Sequence, residues 1–218
     1  MKERVRLGVL ISGAGTNLQA IIDAAERGEL PASIASVISN CEGVEGIEKA
    51  KRHGLDCCVI RHGDFSSRHE FEKALIAELD RHEVNLVVLA GFLRLLSPLF
   101  VRRYPNRIMN IHPSLLPAFP GLDVQQKAID HGVRFSGCTV HFVDEECDHG
   151  PIIIQAAVPV YPDDTAEELA ERILREEHRI YPLAIRLYAE GRLHVSGRRV
   201  FVDGLAREDE KALIHPFV

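Results

Sequence analysis

Asn110 and His112 stand two residues apart in Arg107-Ile108-Met109-Asn110-Ile111-His112, an apolar run that ends at Pro113-Ser114. On an extended strand, residues i and i+2 point to the same side, so the amide and the imidazole can converge on one small group. An amide N–H and an imidazole able to carry a proton suit a carbonyl oxygen that gains negative charge, as in acyl transfer. A third polar group comes from Asp144-Glu145-Glu146-Cys147-Asp148-His149-Gly150-Pro151, an acidic segment closed by a Gly-Pro turn between two apolar runs. A carboxylate from it that reaches His112 would fix the tautomer of the ring and stabilise its protonated form. Asp148 is the first choice, because Gly150-Pro151 bends the chain back just after it, and Asp144 is a competitor.

Near the start, Ser12-Gly13-Ala14-Gly15-Thr16-Asn17 follows the aliphatic run Val5–Ile11 and opens a stretch of helical spacing, Leu18–Ala25. A glycine loop feeding a helix aims free backbone N–H groups and the positive end of the helix dipole at an anion, with the Thr16 hydroxyl and Asn17 amide as extra donors. Leu18 stands where a dinucleotide fingerprint has its third glycine, and Ser39-Asn40 ends the next strand without an acid for a ribose. The loop therefore reads as a monophosphate cradle and not as an NAD site.

These groups need strand ends to hold them. Val5–Ile11, Ile34–Ser39, Cys57–Ile60 and Leu86–Ala90 are short apolar runs, and the stretches Val44–His53 and Arg68–Arg81 between them have helical spacing. The alternation predicts βαβ units, hence an α/β fold with an open, mostly parallel twisted sheet and helices on both faces. A short helix over Pro98–Arg103 leads into a fifth strand, Arg107–His112. Both the glycine loop and Asn110/His112 then fall at carboxyl ends of strands, where open α/β sheets bind ligands. The second half changes character. It reads as a helix over Asp123–His131, an antiparallel pair Gly137–Val143 and Ile152–Val160 at the far edge, a long helix Thr165–Glu190, and a closing hairpin Arg192–Val202 turning at Gly197.

With 218 residues, 46% of them apolar, the chain can build one domain with a real core. A net charge of −6 and the lack of a long basic run argue against nucleic acid or an anionic membrane as partner, so small-molecule ligands are expected. No apolar stretch reaches the about 18 residues of a membrane span, and Met1-Lys2-Glu3-Arg4 runs into a strand without a signal-peptide core, so the expected location is cytoplasmic. Cys41, Cys57, Cys58, Cys138 and Cys147 lack metal or redox spacing, and most read as buried thiols; His53, His62, His69 and His82 read as surface groups. No metal is expected, since no His-Glu-x-x-His or similar array is present.

Val88-Leu89-Ala90-Gly91-Phe92-Leu93-Arg94-Leu95-Leu96-Ser97-Pro98, Asn110-Ile111-His112-Pro113-Ser114-Leu115-Leu116-Pro117 and His141-Phe142-Val143 leading to Asp148 resemble the 10-formyltetrahydrofolate-dependent formyltransferases. With Ile11–Ile21 added, the resemblance is to the branch that formylates glycinamide ribonucleotide in purine synthesis, and it runs from about residue 5 to residue 195. It implies a Rossmann-like formyltransferase fold in a single domain, 1–218, with a phosphate-binding half (1–105), a catalytic and folate-binding half (106–195) and a C-terminal tail (196–218). By the same resemblance, Asn110, His112 and Asp148 correspond to the catalytic trio, Gly15, Thr16 and Asn17 to binders of the ribose phosphate, and Glu177 to the residue that holds the glycinamide part. Arg68, Leu93, Arg94, Leu95, Leu96 and Asn110 match folate-contacting positions. Asp123 stands where many relatives have histidine.

The implied reaction is direct transfer of formyl from 10-formyltetrahydrofolate, as co-substrate, to a primary amine, without a metal, in a cytoplasmic monomer or homodimer. A formyltetrahydrofolate hydrolase or a methionyl-tRNA formyltransferase shares the trio but is expected to carry a further module, N-terminal in the first and C-terminal in the second. A non-catalytic nucleotide-binding protein would use the glycine loop and leave the trio unexplained.

Overall fold

The apolar runs form strands and the amphipathic stretches form helices in a computed structural model that describes residues 4–204, 213 and 215. The rest of the 196–218 tail lies outside the described residues. The first half comprises β1 (Val5–Ile11), α1 (Thr16–Glu26), β2 (Ala32–Ser39), α2 (Glu45–Arg52), β3 (Cys57–Val59), α3 (Arg68–Arg81), β4 (Leu86–Leu89), α4 (Pro98–Arg103) and β5 (Ile108–His112). The second comprises α5 (Val124–Asp130), β6 (Phe135–Phe142), β7 (Ile152–Pro159), α6 (Ala166–Ala189), β8 (Leu193–Ser196) and β9 (Arg199–Val202). A 3-10 turn over His62–Asp64 has no counterpart in the periodicity. Local chemistry sets the helix starts. Ser67 and Ser97 cap α3 and α4, Pro98 opens α4, and Thr165 with Glu168 forms a capping box on α6.

The strands join in one sheet, in the order β3-β2-β1-β4-β5-β6-β7-β9-β8. The first five run parallel; β6 pairs antiparallel with β5 and with β7. The chain winds outward from β1 to β3 and then returns to add β4 on the other side of β1. The crevice at the carboxyl ends of β1 and β4 is thus the topological switch point. The C-terminal hairpin, and not the β6–β7 pair, forms the far edge: β9 joins β7 through one parallel pair, Ile152 with Arg199.

Alternation along the strands splits the core into two layers. Leu7, Val9 and Ile11 of β1, Val88 of β4, and Met109 and Ile111 of β5 pack with Leu18 and Ile21 of α1 and Ile173 and Tyr181 of α6. Leu10, Val87, Leu89 and Ile108 face the opposite way, onto Phe71, Leu75 and Leu79 of α3 and Phe100 and Tyr104 of α4. Asn110 and His112 share the face of Ile108, beyond this second layer. That is why a polar pair can occupy the end of a buried strand.

Two readings of single side chains are corrected. His82 is buried because the end of α3 packs on the sheet, and its ring shares Glu78 with Arg81. Only Cys138 is fully buried; Cys41, Cys57 and Cys58 are half-buried, and Cys147 is exposed because it lies in the turn between β6 and β7. No helix among the described residues is long and apolar enough to cross a membrane.

Candidate active site

The register of β5 against β6 builds the polar cluster. Asn110 lies opposite His141, and His112 opposite Thr139. The Asn110 amide nitrogen is 3.2 Å from Nε2 of His141, whose Nδ1 is 2.9 Å from the Phe142 carbonyl. A carbonyl only accepts, so the His141 hydrogen sits on Nδ1 and Nε2 receives the Asn110 N–H. Burial lowers the pKa of His141, which keeps the ring neutral; the bond to the Phe142 carbonyl and nearby Asp148 oppose this shift, and His112 adds to it.

The His112 ring is almost fully buried. Its Nε2 donates to the Phe119 carbonyl at 2.9 Å, and its Nδ1 faces Oδ2 of Asp148 at 3.5 Å. The Asp148 carboxylate lies between two imidazoles, with Oδ1 at 3.9 Å from Nε2 of His141, and it accepts the Gly121 N–H at 2.9 Å. Asp144 does not compete for His112: its carboxylate accepts from Nδ1 of His149 at 2.8 Å and from the Glu146 N–H at 3.0 Å. The segment over His112 hangs on Thr139, fully buried, which donates to the Ser114 carbonyl at 2.7 Å and accepts the Leu116 N–H at 3.1 Å. Asp123 ends that segment as the N-cap position of α5, in the left-handed region and without a side-chain capping bond.

The glycine loop follows β1 as expected. Gly15 is the N-cap residue of α1 with φ 68°, so neither Thr16 nor Asn17 caps the helix and both side chains stay free for other partners. Gly15 packs on Gly46, at the start of α2, so closely that a Cβ on Gly15 would come within 2.7 Å of the Gly46 Cα. Lys49 of α2 donates to the Ala14 carbonyl at 2.8 Å and brings a cation to the loop. Ser12 ties the loop to the segment after β4: its hydroxyl donates to Asn40 at 2.6 Å and accepts the Leu93 N–H at 2.8 Å.

Glu177 is buried, contrary to what its charged neighbours suggest, because α6 crosses the sheet next to α1. Its carboxylate accepts from the Asn17 amide at 2.7 Å, while the Asn17 oxygen is buried with no partner among the described residues. Burial raises the Glu177 pKa, and the Asn17 bond partly offsets this. One turn on, the Tyr181 hydroxyl lies 3.0 Å from the carbonyls of both Leu89 and Met109 and anchors α6 to β4 and β5.

Arg68 lies at the start of α3 and reaches the Leu95 carbonyl and Glu72. Glu72 is 1% exposed, and it also accepts the Ser97 N–H at 2.7 Å and the Ser97 hydroxyl. Leu93 and Leu95 are 73% and 66% exposed, apolar surface left uncovered beside this network. Arg94 and Leu96 are half-buried, Leu96 against the second core layer. Sequence reasoning leaves Glu72, Thr139 and the hydrogen-bonding role of His141 unassigned. No group of three or more His, Cys, Asp or Glu among the described residues is arranged to hold a metal.

Comparison with known proteins gives this geometry a family. The formyl transferase model matches residues 5–185. The chain belongs to the formyl transferase family. Within it, the chain is 45% identical to the phosphoribosylglycinamide formyltransferase of Haemophilus influenzae, over 92% of this chain and 95% of that protein. It is 48% identical to the trifunctional purine biosynthetic protein adenosine-3 of Gallus gallus over 88% of this chain but 19% of that protein. A solved glycinamide ribonucleotide transformylase 1 from Symbiobacterium toebii superimposes with a TM-score of 0.91 at 53% identity, covering 93% of this chain and 95% of the other. In this formyl transferase, the polar cluster at the end of β5 and the loop after β1 lie on one edge of the sheet.

Proposed function

We propose that Asn110, His112 and Asp148 carry direct formyl transfer from 10-formyltetrahydrofolate to the primary amine of glycinamide ribonucleotide, the reaction of purine synthesis to which the similarity points. The observation that carries this reading is the convergence of the Asn110 amide, the His112 ring and the Asp148 carboxylate at the carboxyl end of β5.

The neutral amine attacks the formyl carbon, and the carbonyl electron pair moves onto the formyl oxygen. Asn110 keeps one amide hydrogen beyond the one given to His141, and His112 donates from Nε2; both meet the oxyanion. In the present arrangement that Nε2–H bonds the Phe119 carbonyl, so the formyl oxygen takes that carbonyl's position as the acceptor. Asp148 stabilises the imidazolium and orders a water that carries the amine proton to folate N10. The bond from the formyl carbon to N10 then breaks, leaving formylglycinamide ribonucleotide and tetrahydrofolate. No covalent enzyme intermediate is needed, and much of the rate comes from juxtaposing two bound substrates.

Gly15, Thr16 and Asn17 hold the ribose phosphate, with Lys49 close behind the loop, and Glu177 holds the glycinamide end. Arg68, Arg94 and the strip Leu93, Leu95 and Leu96 receive the folate. All of this falls within one domain, with 1–105 on the phosphate side and 106–195 on the catalytic side, followed by 196–218, whose first residues complete the β8–β9 hairpin; the folate site draws on both halves. The enzyme works on small molecules in the cytoplasm, as a monomer or homodimer, which agrees with its net charge of −6.

The test is formation of tetrahydrofolate from 10-formyltetrahydrofolate with and without glycinamide ribonucleotide, in wild type and His112→Ala. Turnover that needs the ribonucleotide and collapses in the variant supports the proposal. Deformylation indifferent to the ribonucleotide marks a hydrolase instead, and no turnover with either marks a nucleotide-binding protein.

A further inference from the structure

The segment carrying Asp148 is fastened on both sides by arginines with no part in the reaction above. Near its start, Glu145 takes a two-point ion pair from Arg102 of α4, with Nε at 2.7 Å and Nη2 at 3.1 Å. His149, next to Asp148 in the chain, is gripped by Arg198 in the turn of the β8–β9 hairpin. There Nη2 donates to the His149 carbonyl at 2.9 Å, and Nη1 lies against the ring, within reach of both of its nitrogens. The His149 Nδ1 also donates to the Asp144 carboxylate at 2.8 Å, so the ring is held between Arg198 and Asp144.

The hairpin meets the sheet at Ile152 and Arg199, just past Gly150-Pro151, so Arg198 is delivered beside this segment by strand pairing. A Cβ on Gly150 would fall 1.9 Å from the Phe142 carbonyl, so the end of the segment lies directly against β6. Between these anchors Asp148 has φ 51°, a left-handed conformation that a non-glycine residue keeps when its surroundings enforce it.

We propose that Arg198 is a positioning residue for formyl transfer: through His149 it holds the Asp148 carboxylate beside Nδ1 of His112, which makes the C-terminal hairpin part of the catalytic apparatus. This rests on the reading of Asp148 as the partner of His112. Arg198 is exposed, so its polar contacts add little to global stability. A small displacement of a group beside the reacting atoms, by contrast, is felt strongly in rate. The loss on removing Arg198 therefore falls on kcat and not on Tm.

The experiment measures tetrahydrofolate formation with saturating ribonucleotide in Arg198→Ala, Arg198→Lys, Asp148→Asn and the double variant Asp148→Asn/Arg198→Ala. Arg198→Ala lowers kcat about tenfold, with the ribonucleotide KM and the Tm unchanged. Arg198→Lys recovers part of the loss, since an ammonium still reaches the His149 carbonyl. The double variant is no slower than Asp148→Asn alone, because the strap has nothing left to position. Wild-type kcat in Arg198→Ala beside a crippled Asp148→Asn overturns the strap, and so does a full additional loss in the double variant. Full activity of Asp148→Asn instead sinks the reading of Asp148 on which the strap depends.

Discussion

Asn110 and His141 face each other across the antiparallel pair β5–β6, and the amide of the first donates to Nε2 of the second at 3.2 Å. This bond fixes which end of the Asn110 amide is the donor, and it exists only while His141 is neutral. The unfolded imidazole takes up its proton near the ordinary value of 6.5, whereas burial lowers that value in the folded protein. Just below 6.5 the unfolded state binds more protons, so stability is full above this window and falls as the pH is lowered through it. Unfolding of wild type and His141→Gln, followed from pH 7.5 to about 5, is expected to show a shallower acid decline in the variant. Equal slopes would mean that His141 does not titrate against folding.

Substitution within the trio acts on rate. Removing one oxyanion donor costs on the order of 10²–10³ in turnover at other acyl-transfer sites, so Asn110→Ala and His112→Ala are each expected to lose this much in kcat. Steady-state assays at saturating substrates decide it; a loss confined to KM would assign both residues to binding alone.

Glu177 sets stability against function. Burial raises its pKa from the ordinary 4.5, so the folded state holds its proton more tightly than the unfolded chain does. Stability from this group is complete below 4.5 and is lost as the pH rises through the raised folded value. Glu177→Gln keeps an oxygen for the Asn17 amide and removes the buried charge. The expected result is a higher Tm at neutral pH together with weaker binding of glycinamide ribonucleotide, read by thermal unfolding and calorimetric titration. A lower Tm in the variant would count against the burial argument.

Asn110 and His112 are legible in the sequence because a period of two and a following proline fix their common face without any knowledge of the neighbours. His141 sits in an apolar run and reads as core; only the β5–β6 register, which neither strand encodes by itself, turns it toward Asn110. Glu72 goes unassigned, and Glu177 enters only through the family resemblance, for a related reason. Charge-rich helical context reads as solvated surface, and their burial follows from how α3 meets the segment after β4 and how α6 meets α1. The hairpin Arg192–Val202 is visible in the pattern, but its attachment through one residue pair is a property of the assembled sheet.

Glu72 tests whether the segment after β4 needs a fixed anchor. It binds Arg68, the Ser97 N–H and the Ser97 hydroxyl, and so sets both the start of α4 and the position of Arg68. Glu72→Gln keeps the shape but loses the charge opposite Arg68. A buried hydrogen bond to a charged group contributes about 1.5–3 kcal/mol, so the KM for 10-formyltetrahydrofolate is expected to rise about tenfold or more while that for the ribonucleotide stays constant. Equal rises in both constants would indicate general loosening.

Gly46 makes the opposite prediction for the two substrates. A Cβ there would lie 2.5 Å from Cδ1 of Ile11, 2.9 Å from the Gly13 carbonyl and 3.3 Å from the Cα of Gly15. The Ile11 methyl can rotate away, but the two backbone atoms belong to the phosphate loop and cannot yield without moving it. Overpacking of this kind costs about 1–3 kcal/mol, and the strain falls on the Gly13–Gly15 cradle. Gly46→Ala is therefore expected to raise the KM for glycinamide ribonucleotide by tenfold or more, with kcat and the folate KM near wild type. A variant in which the folate KM rises as well would show that the loop and the segment after β4, joined through Ser12 and Leu93, move as one body.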